Sequence, residues 1–176
     1  MAYLLIFSIV LLIVGVLLLL IARRDRRATG LPTGEIVYTD TGAWEEVEKP
    51  LFSRRYGVVG RPDYLVQVKE GGRTVTIPVE VKSRQRPPST PDNHILQLAT
   101  YCLLVEDTTK QRPPYGLLHY ADATLKIAFT DALRREVLAT ADAIRAARTA
   151  DDVHRQHDDP ARCRGCGYRH ACGEEI

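Results

Sequence analysis

Three side chains carried on strand-like sequence can do chemistry together: Asp63, Glu80 and Lys82. The first lies in Gly60-Arg61-Pro62-Asp63, the other two in Pro78-Val79-Glu80-Val81-Lys82-Ser83. Two acids and a base suit hydrolysis of a phosphodiester, which needs an activated water and neutralised charge at phosphate. A divalent metal supplies both. Mg²⁺ takes oxygen ligands, commonly one or two carboxylates plus waters. Asp63 and Glu80 supply such oxygens, and the backbone carbonyl of Val81 offers a third. Lys82 stands two residues after Glu80, which in a strand puts both side chains on one face. It can then orient the attacking water or stabilise the pentacovalent charge. A helix-like stretch follows in which His94, Gln97 and Tyr101 are spaced by three and four, again one face. Gln97 and Tyr101 would face the site from that helix. Taken singly, each feature is ordinary: a solvated E-x-K, a turn aspartate, a polar helix stripe. Their order along one stretch favours a site.

The elements that must hold these residues are legible nearby. Residues 64–69 alternate apolar and polar, residues 70–73 form a turn with paired glycines, and residues 74–82 are rich in β-branched side chains. This is a hairpin bringing Asp63 and Glu80 close across an antiparallel pair. Pro78 removes a ladder donor, which predicts an edge or a bulge at that point. Residues 84–91 form a basic, proline-bearing loop in which Arg84 and Arg86, with Arg61 and Lys69, would make a local basic rim for phosphates. Thr90 reads as an N-cap with Pro91 at the first helical position, and the helix runs to about residue 106. Residues 115–122 and 124–130 read as strands. Thr130 caps a last helix whose buried stripe is Leu133, Val137, Ala141 and Ile144. Residues 35–40 read as a first strand, while residues 41–50, with Trp44, Glu45, Glu46 and Glu48, have no clear assignment. The order of strands, helix, strands, helix predicts an α/β (α+β) fold, a mixed central sheet flanked by helices.

Composition bounds the alternatives. The 176 residues carry 24 basic and 22 acidic side chains, a net charge of +2, so no global positive field attracts nucleic acid. Residues 3–22 contain no charge, and about twenty helical residues cross a hydrocarbon core of roughly 30 Å. Arg23, Arg24, Arg26 and Arg27 follow, which predicts a single-pass transmembrane anchor with the rest of the chain cytoplasmic. The expected organisation is thus an anchor at 3–22, a basic juxtamembrane linker at 23–34, a catalytic core at 35–150 and a cysteine-rich tail at 151–176. In that tail Cys163, Cys166 and Cys172 have metal-ligand spacing, and in a cytosolic setting they read as ligands rather than disulfides. The spacing alone does not separate iron–sulfur from zinc.

The motif order G-x-x-D, (D/E)-x-K and Q-x-x-x-Y resembles the PD-(D/E)xK nucleases, in particular their RecB-like branch. Within it the chain is similar to the Cas-four type CRISPR-associated exonucleases and the nuclease domain of Dna-two helicases. The resemblance implies a restriction-endonuclease-like core and a DNA nuclease using Mg²⁺ or Mn²⁺ on single strands or ends. It implies metal ligation by Asp63 and Glu80, catalysis with Lys82 and support from Gln97 and Tyr101. The family usually adds a histidine or acid before G-x-x-D. All five histidines here follow Asp63, which leaves Glu45, Glu46 and Glu48. The tail spacing C-x2-C-x5-C resembles the Cas-four type ending, where three cysteines bind a [4Fe–4S] cluster. No cysteine precedes Cys102, so a fourth ligand is missing from its expected place, and zinc is the alternative. Two other functions follow if the metal shell is incomplete: a catalytically inactive nucleic-acid-binding module, or an iron–sulfur or zinc scaffold.

Overall fold

The computed structural model describes residue 7, residues 11–16, the backbone of residues 35–36, and residues 44–176. The chain divides into two compact units, Met1–Leu138 and Ala139–Ile176.

In the first unit the strands are β1 (Glu35–Ile36), β2 (Glu45–Glu46), β3 (Leu51–Ser53), β4 (Val58–Gly60), β5 (Tyr64–Glu70), β6 (Arg73–Lys82), β7 (Tyr115–Tyr120) and β8 (Ala123–Ala128). Helix α1 (Asp92–Thr109) joins β6 to β7, and α2 (Asp131–Thr149) follows β8 and crosses the unit boundary. Among the described residues one sheet has six strands in the order β1-β8-β7-β6-β5-β2, and β3 and β4 make a separate two-stranded ribbon. Every neighbouring pair in the large sheet is antiparallel except β6 and β7. A parallel pair requires a crossover, and α1 is that crossover.

The expected hairpin forms. Gly71 and Gly72 take positive φ, 56° and 78°, at its turn. Its register runs without a bulge from Tyr64↔Val79 to Glu70↔Arg73. Pro78 sits where β7's pairing stops, since β7 pairs only with Val79 to Lys82. The proline therefore lies at a local edge within a central strand, where its missing N–H costs no ladder bond.

Strand alternation gives the sheet two apolar faces. On one, Leu118, Tyr120, Leu125 and Ile127 pack with Leu98, Leu103 and Leu104 of α1 and with Leu133 and Val137 of α2. On the other, Val66, Ile77, Val79, Tyr115 and Leu117 form a second cluster joined by Trp44 and Tyr64. In β5 only Val66 is buried, whereas β6 buries four consecutive residues, Ile77 to Glu80, as expected of a strand covered on both faces.

Several expectations are corrected. The cap of α1 is Pro91, in extended geometry, and not Thr90, and no side chain caps it. Thr130 does cap α2, accepting from Leu133 N at 3.1 Å. The buried stripe of α2 ends at Val137, and Ile144 is 56% exposed. The membrane placement is overturned: among the described residues no helix is long and apolar enough to cross a membrane. Of residues 3–22 only Phe7 and residues 11–16 are described, as helix. The remainder of that run and residues 23–34 lie outside the described residues.

The β3–β4 ribbon was not anticipated. Its inner side is fastened to the helices. Buried Ser53 donates from Oγ to Asp107 Oδ2 at 2.6 Å and accepts from Tyr56 N at 3.1 Å. Arg134 on α2 donates from Nε to Glu106 Oε2 at 3.0 Å and from its guanidinium to Tyr56 Oη at 2.7 Å. One guanidinium thus ties both helices and the ribbon together. These side chains are partly exposed, so Arg134→Ala is expected to cost about 1 kcal/mol. A double-mutant cycle with Glu106→Ala in urea unfolding checks this, and a coupling near zero would show the pair to be incidental.

Candidate active site

The last four residues of β6, Val79 to Lys82, pair in parallel with Leu117 to Tyr120 of β7, and α1 packs against this strand. There the side chains of Glu80 and Lys82 share a face, as period-two alternation requires. Lys82 Nζ donates to Glu80 Oε1 at 2.7 Å and to Gln97 Oε1 at 3.0 Å. Gln97 Nε2 donates to the same Glu80 oxygen at 2.8 Å and to Tyr101 Oη at 2.9 Å. With both amide hydrogens of Gln97 committed, Tyr101 accepts through its oxygen, which leaves its own hydrogen to donate outward.

Asp63 lies just before β5, opposite Glu80 by continuation of the Tyr64↔Val79 register. Its Oδ2 accepts from Val81 N at 2.7 Å, joining the first motif to the second. A strand residue sends its N–H and C=O toward the same neighbour, so the Val81 carbonyl also faces the Asp63 side. All the sequence-chosen residues Asp63, Glu80, Val81, Lys82, Gln97 and Tyr101 are therefore brought to one end of the sheet.

Gly60 explains the glycine of the first motif. A Cβ there would meet Tyr101 Cε1 at 2.7 Å and Leu104 Cδ1 at 3.2 Å. The Tyr101 ring lies against the ribbon only because position 60 has no side chain.

Glu80 is 5% exposed, and its carboxyl is raised above the ordinary glutamate value. Burial is the largest cause; the hydrogen bond from Lys82 opposes it, and the nearby Asp63 carboxylate raises it further. Two crowded carboxylates with an adjacent carbonyl form an all-oxygen donor set of the kind that suits Mg²⁺ or Mn²⁺. Of the upstream acids, Glu45 pairs with Leu65 and so shares the face of Asp63, whereas Glu46 pairs with Tyr64 and lies on the other. Glu48 falls beyond β2 and is exposed.

Residues outside the motifs extend the network. His94 is buried, and its Nε2 lies 2.9 Å from the Arg84 guanidinium while its Nδ1 lies 2.8 Å from Tyr120 Oη. An arginine only donates, so Nε2 accepts and Nδ1 carries the proton. Burial first, then the charges of Lys82 and Arg84, hold this imidazole below its usual range and keep it neutral. Helical spacing flagged His94. Nothing in sequence flagged Tyr120, whose place opposite Lys82 comes from the β6–β7 register.

The tail is arranged otherwise. Cys163 is buried on α3 (Pro160–Arg164), capped by Asp159, while Cys166 and Cys172 are exposed, the latter ending α4 (Arg169–Cys172). All are free thiols. Among the described residues no group of three or more His, Cys, Asp or Glu side chains is placed to hold a metal ion. Instead Glu174 ties this unit, accepting from Arg155 N at 2.6 Å and pairing with His154. Cys102, the remaining cysteine, is 1% exposed in the core, where burial raises its thiol far above the usual range.

A family model described as the PD-(D/E)XK nuclease superfamily matches residues 19–173. No curated protein matches the chain.

Two measurements test this geometry. A raised carboxyl means that the folded chain binds the Glu80 proton more tightly than the unfolded chain does. Its contribution to stability is then present below the ordinary value of 4.5 and is lost as pH rises through the folded value. In the metal-free chain, Glu80→Gln is therefore expected to melt above wild type at neutral pH, with the gap closing as pH falls toward 4.5. Calorimetry across a pH series reads this, and a gap that does not vary with pH would exclude Glu80 as its source. Gly60→Ala is expected to cost about 1–3 kcal/mol in urea unfolding as the new methyl displaces the Tyr101 ring. A cost near zero would mean that the ring gives way freely.

Proposed function

The chain belongs to the PD-(D/E)XK nuclease superfamily, and from that premise we propose that it is a divalent-metal-dependent deoxyribonuclease acting on single strands or ends. The observation that carries this reading is the junction of Lys82, Glu80 and Gln97, bonded to one another at 2.7 to 3.0 Å, beside Asp63, whose carboxylate accepts from Val81 N at 2.7 Å. The motif order also fits the RecB-like branch, with its Cas-four type and Dna-two members.

Asp63, Glu80 and the Val81 carbonyl would hold the Mg²⁺ or Mn²⁺, with Glu45 the upstream acid on the same face. The bound cation supplies Lewis acidity at phosphate and a water of lowered pKa. The chain's own residues do the rest. Lys82, held from two sides, presents a positive charge to the phosphate as negative charge builds in the transition state. Gln97 keeps that ammonium at the end of β6 rather than in solvent. Tyr101 donates its free hydrogen toward substrate. The Arg84 guanidinium, held by neutral His94, lies on the loop just past Lys82 and offers a phosphate contact. Hydrolysis then forms one P–O bond to water and breaks the bond to the leaving 3′ or 5′ oxygen.

The test uses end-labelled single- and double-stranded DNA with Mn²⁺, Mg²⁺ or EDTA. Wild type is expected to cleave only with metal, and Lys82→Ala and Glu80→Ala to lose about a hundredfold or more. Cleavage that persists in both variants, or a folded wild type inactive with either metal, would overturn the reading.

A further inference from the structure

The outer face of the β3–β4 ribbon breaks the rule that governs the rest of the sheet surface. The ribbon pairs Leu51↔Gly60, Phe52↔Val59 and Ser53↔Val58. Leu51 and Val58 pack inward on the core, and Ser53 is fully buried. Alternation then calls for polar side chains at Phe52 and Val59. Both are apolar, directly opposite one another, and exposed by 56% and 63%.

The charged side chains along this segment have one sign. From Leu51 to Pro62 the segment carries Arg54, Arg55 and Arg61, all exposed, and no acid. The ribbon is also continuous with the active site. Val59 is followed by Gly60, which meets the Tyr101 ring, and Asp63 comes three residues later. Arg61 is near enough to Tyr101 for its charge to act on the phenol.

We propose that the outer face of this ribbon is a binding platform for the single strand leading to the scissile bond, with a base stacked on Phe52 and Val59 and the flanking phosphates on Arg54, Arg55 and Arg61. This rests on the nuclease reading for its direction along the strand. The exposed ring is the feature that selects single strands. A duplex hides its base faces within its own stack, whereas an unpaired strand offers a π-face at every nucleotide, and sequence matters little to such a contact. The arginines supply the phosphate attraction that the near-neutral chain lacks overall. A protein partner fits less well, because stable interfaces use roughly 20–30 residues a side and this apolar patch has two. The platform is presented rigidly, since its inner face is fastened through Ser53, Tyr56 and Arg134.

The test measures binding of the whole chain to fluorescent oligo-dT and to a matched duplex by anisotropy, in EDTA so that nothing is cut. Phe52→Ala is expected to weaken oligo-dT binding roughly tenfold and duplex binding far less. Phe52→Trp is expected to restore oligo-dT affinity and to show indole quenching on binding, with the wild-type chain and its single Trp44 as the blank. No loss on oligo-dT, or an equal loss on both DNAs, would overturn the platform. So would a concentration-dependent dimer that Phe52→Ala abolishes while DNA affinity stays unchanged, which would make the face a self-association surface. Hydrolysis of bis(p-nitrophenyl) phosphate by wild type with Mn²⁺ reads the catalytic centre separately. Its absence would sink the nuclease reading and leave Phe52-dependent binding in EDTA standing.

Discussion

One amide holds this site in register. Gln97 comes from the helix, and Glu80 and Lys82 come from the strand. The Gln97 side chain bonds to both and to Tyr101 as well. An amide is suited to this because it carries an acceptor and two donors in one plane. A carboxylate at position 97 would repel Glu80 and leave Tyr101 without its donor. An apolar residue would leave Glu80 with Lys82 alone to offset its burial. The network is possible only because α1 is a crossover: its β6–α1–β7 path lays the helix across the end of the strand carrying the acid and the base.

The same arrangement explains why the site is electrostatically uncomfortable without a cation. Glu80 is buried beside a second carboxylate, and one ammonium is the nearest compensation. Burial of charge costs unless it is paired and hydrogen-bonded. The network satisfies one Glu80 oxygen twice, while the nearby Asp63 carboxylate makes its charge costlier. A fold optimised for stability alone would place an apolar residue at position 80, as it does at Val66, Ile77 and Val79 along the same hairpin. The local cost is consistent with a centre held ready for positive charge.

Much of this was legible before the structure. The hairpin, the helix after it and the two strands beyond follow from long alternating or apolar runs, where the pattern has many residues to declare itself. The shared face of Glu80 and Lys82, and of Gln97 and Tyr101, follows from period alone. The ribbon was not legible, because each of its strands has three residues and the Arg-Arg-Tyr-Gly between them reads as loop. The role of Gly60 was equally hidden: the motif marks the glycine, but only the tertiary approach of Tyr101 says why. Ile144 continues the helical stripe in sequence but is exposed. The cysteine spacing satisfies a ligand pattern, yet Cys163 is buried on α3, Cys166 is exposed between α3 and α4, and Cys172 is exposed at the end of α4. Spacing describes what a chain can reach, and packing decides which of those arrangements is adopted.

Net charge was the least informative global quantity for the same reason. At physiological ionic strength charges are screened over about 8 Å, so a phosphate at the end of β6 responds to its neighbours and not to the sum over 176 residues. Within the ribbon and the loop after Lys82, arginines dominate: Arg54, Arg55 and Arg61 on one side, Arg84 and Arg86 on the other. The acids that cancel them in the total include Glu106, Asp107 and Asp131, which are paired with Arg134, Lys110 and Arg112 in the helices and their flanking turns. A chain of net charge +2 can therefore hold a positive rim beside its carboxylates. Such a rim attracts an anionic strand only at close range, so salt would act on the final docking of the strand more than on its approach from a distance.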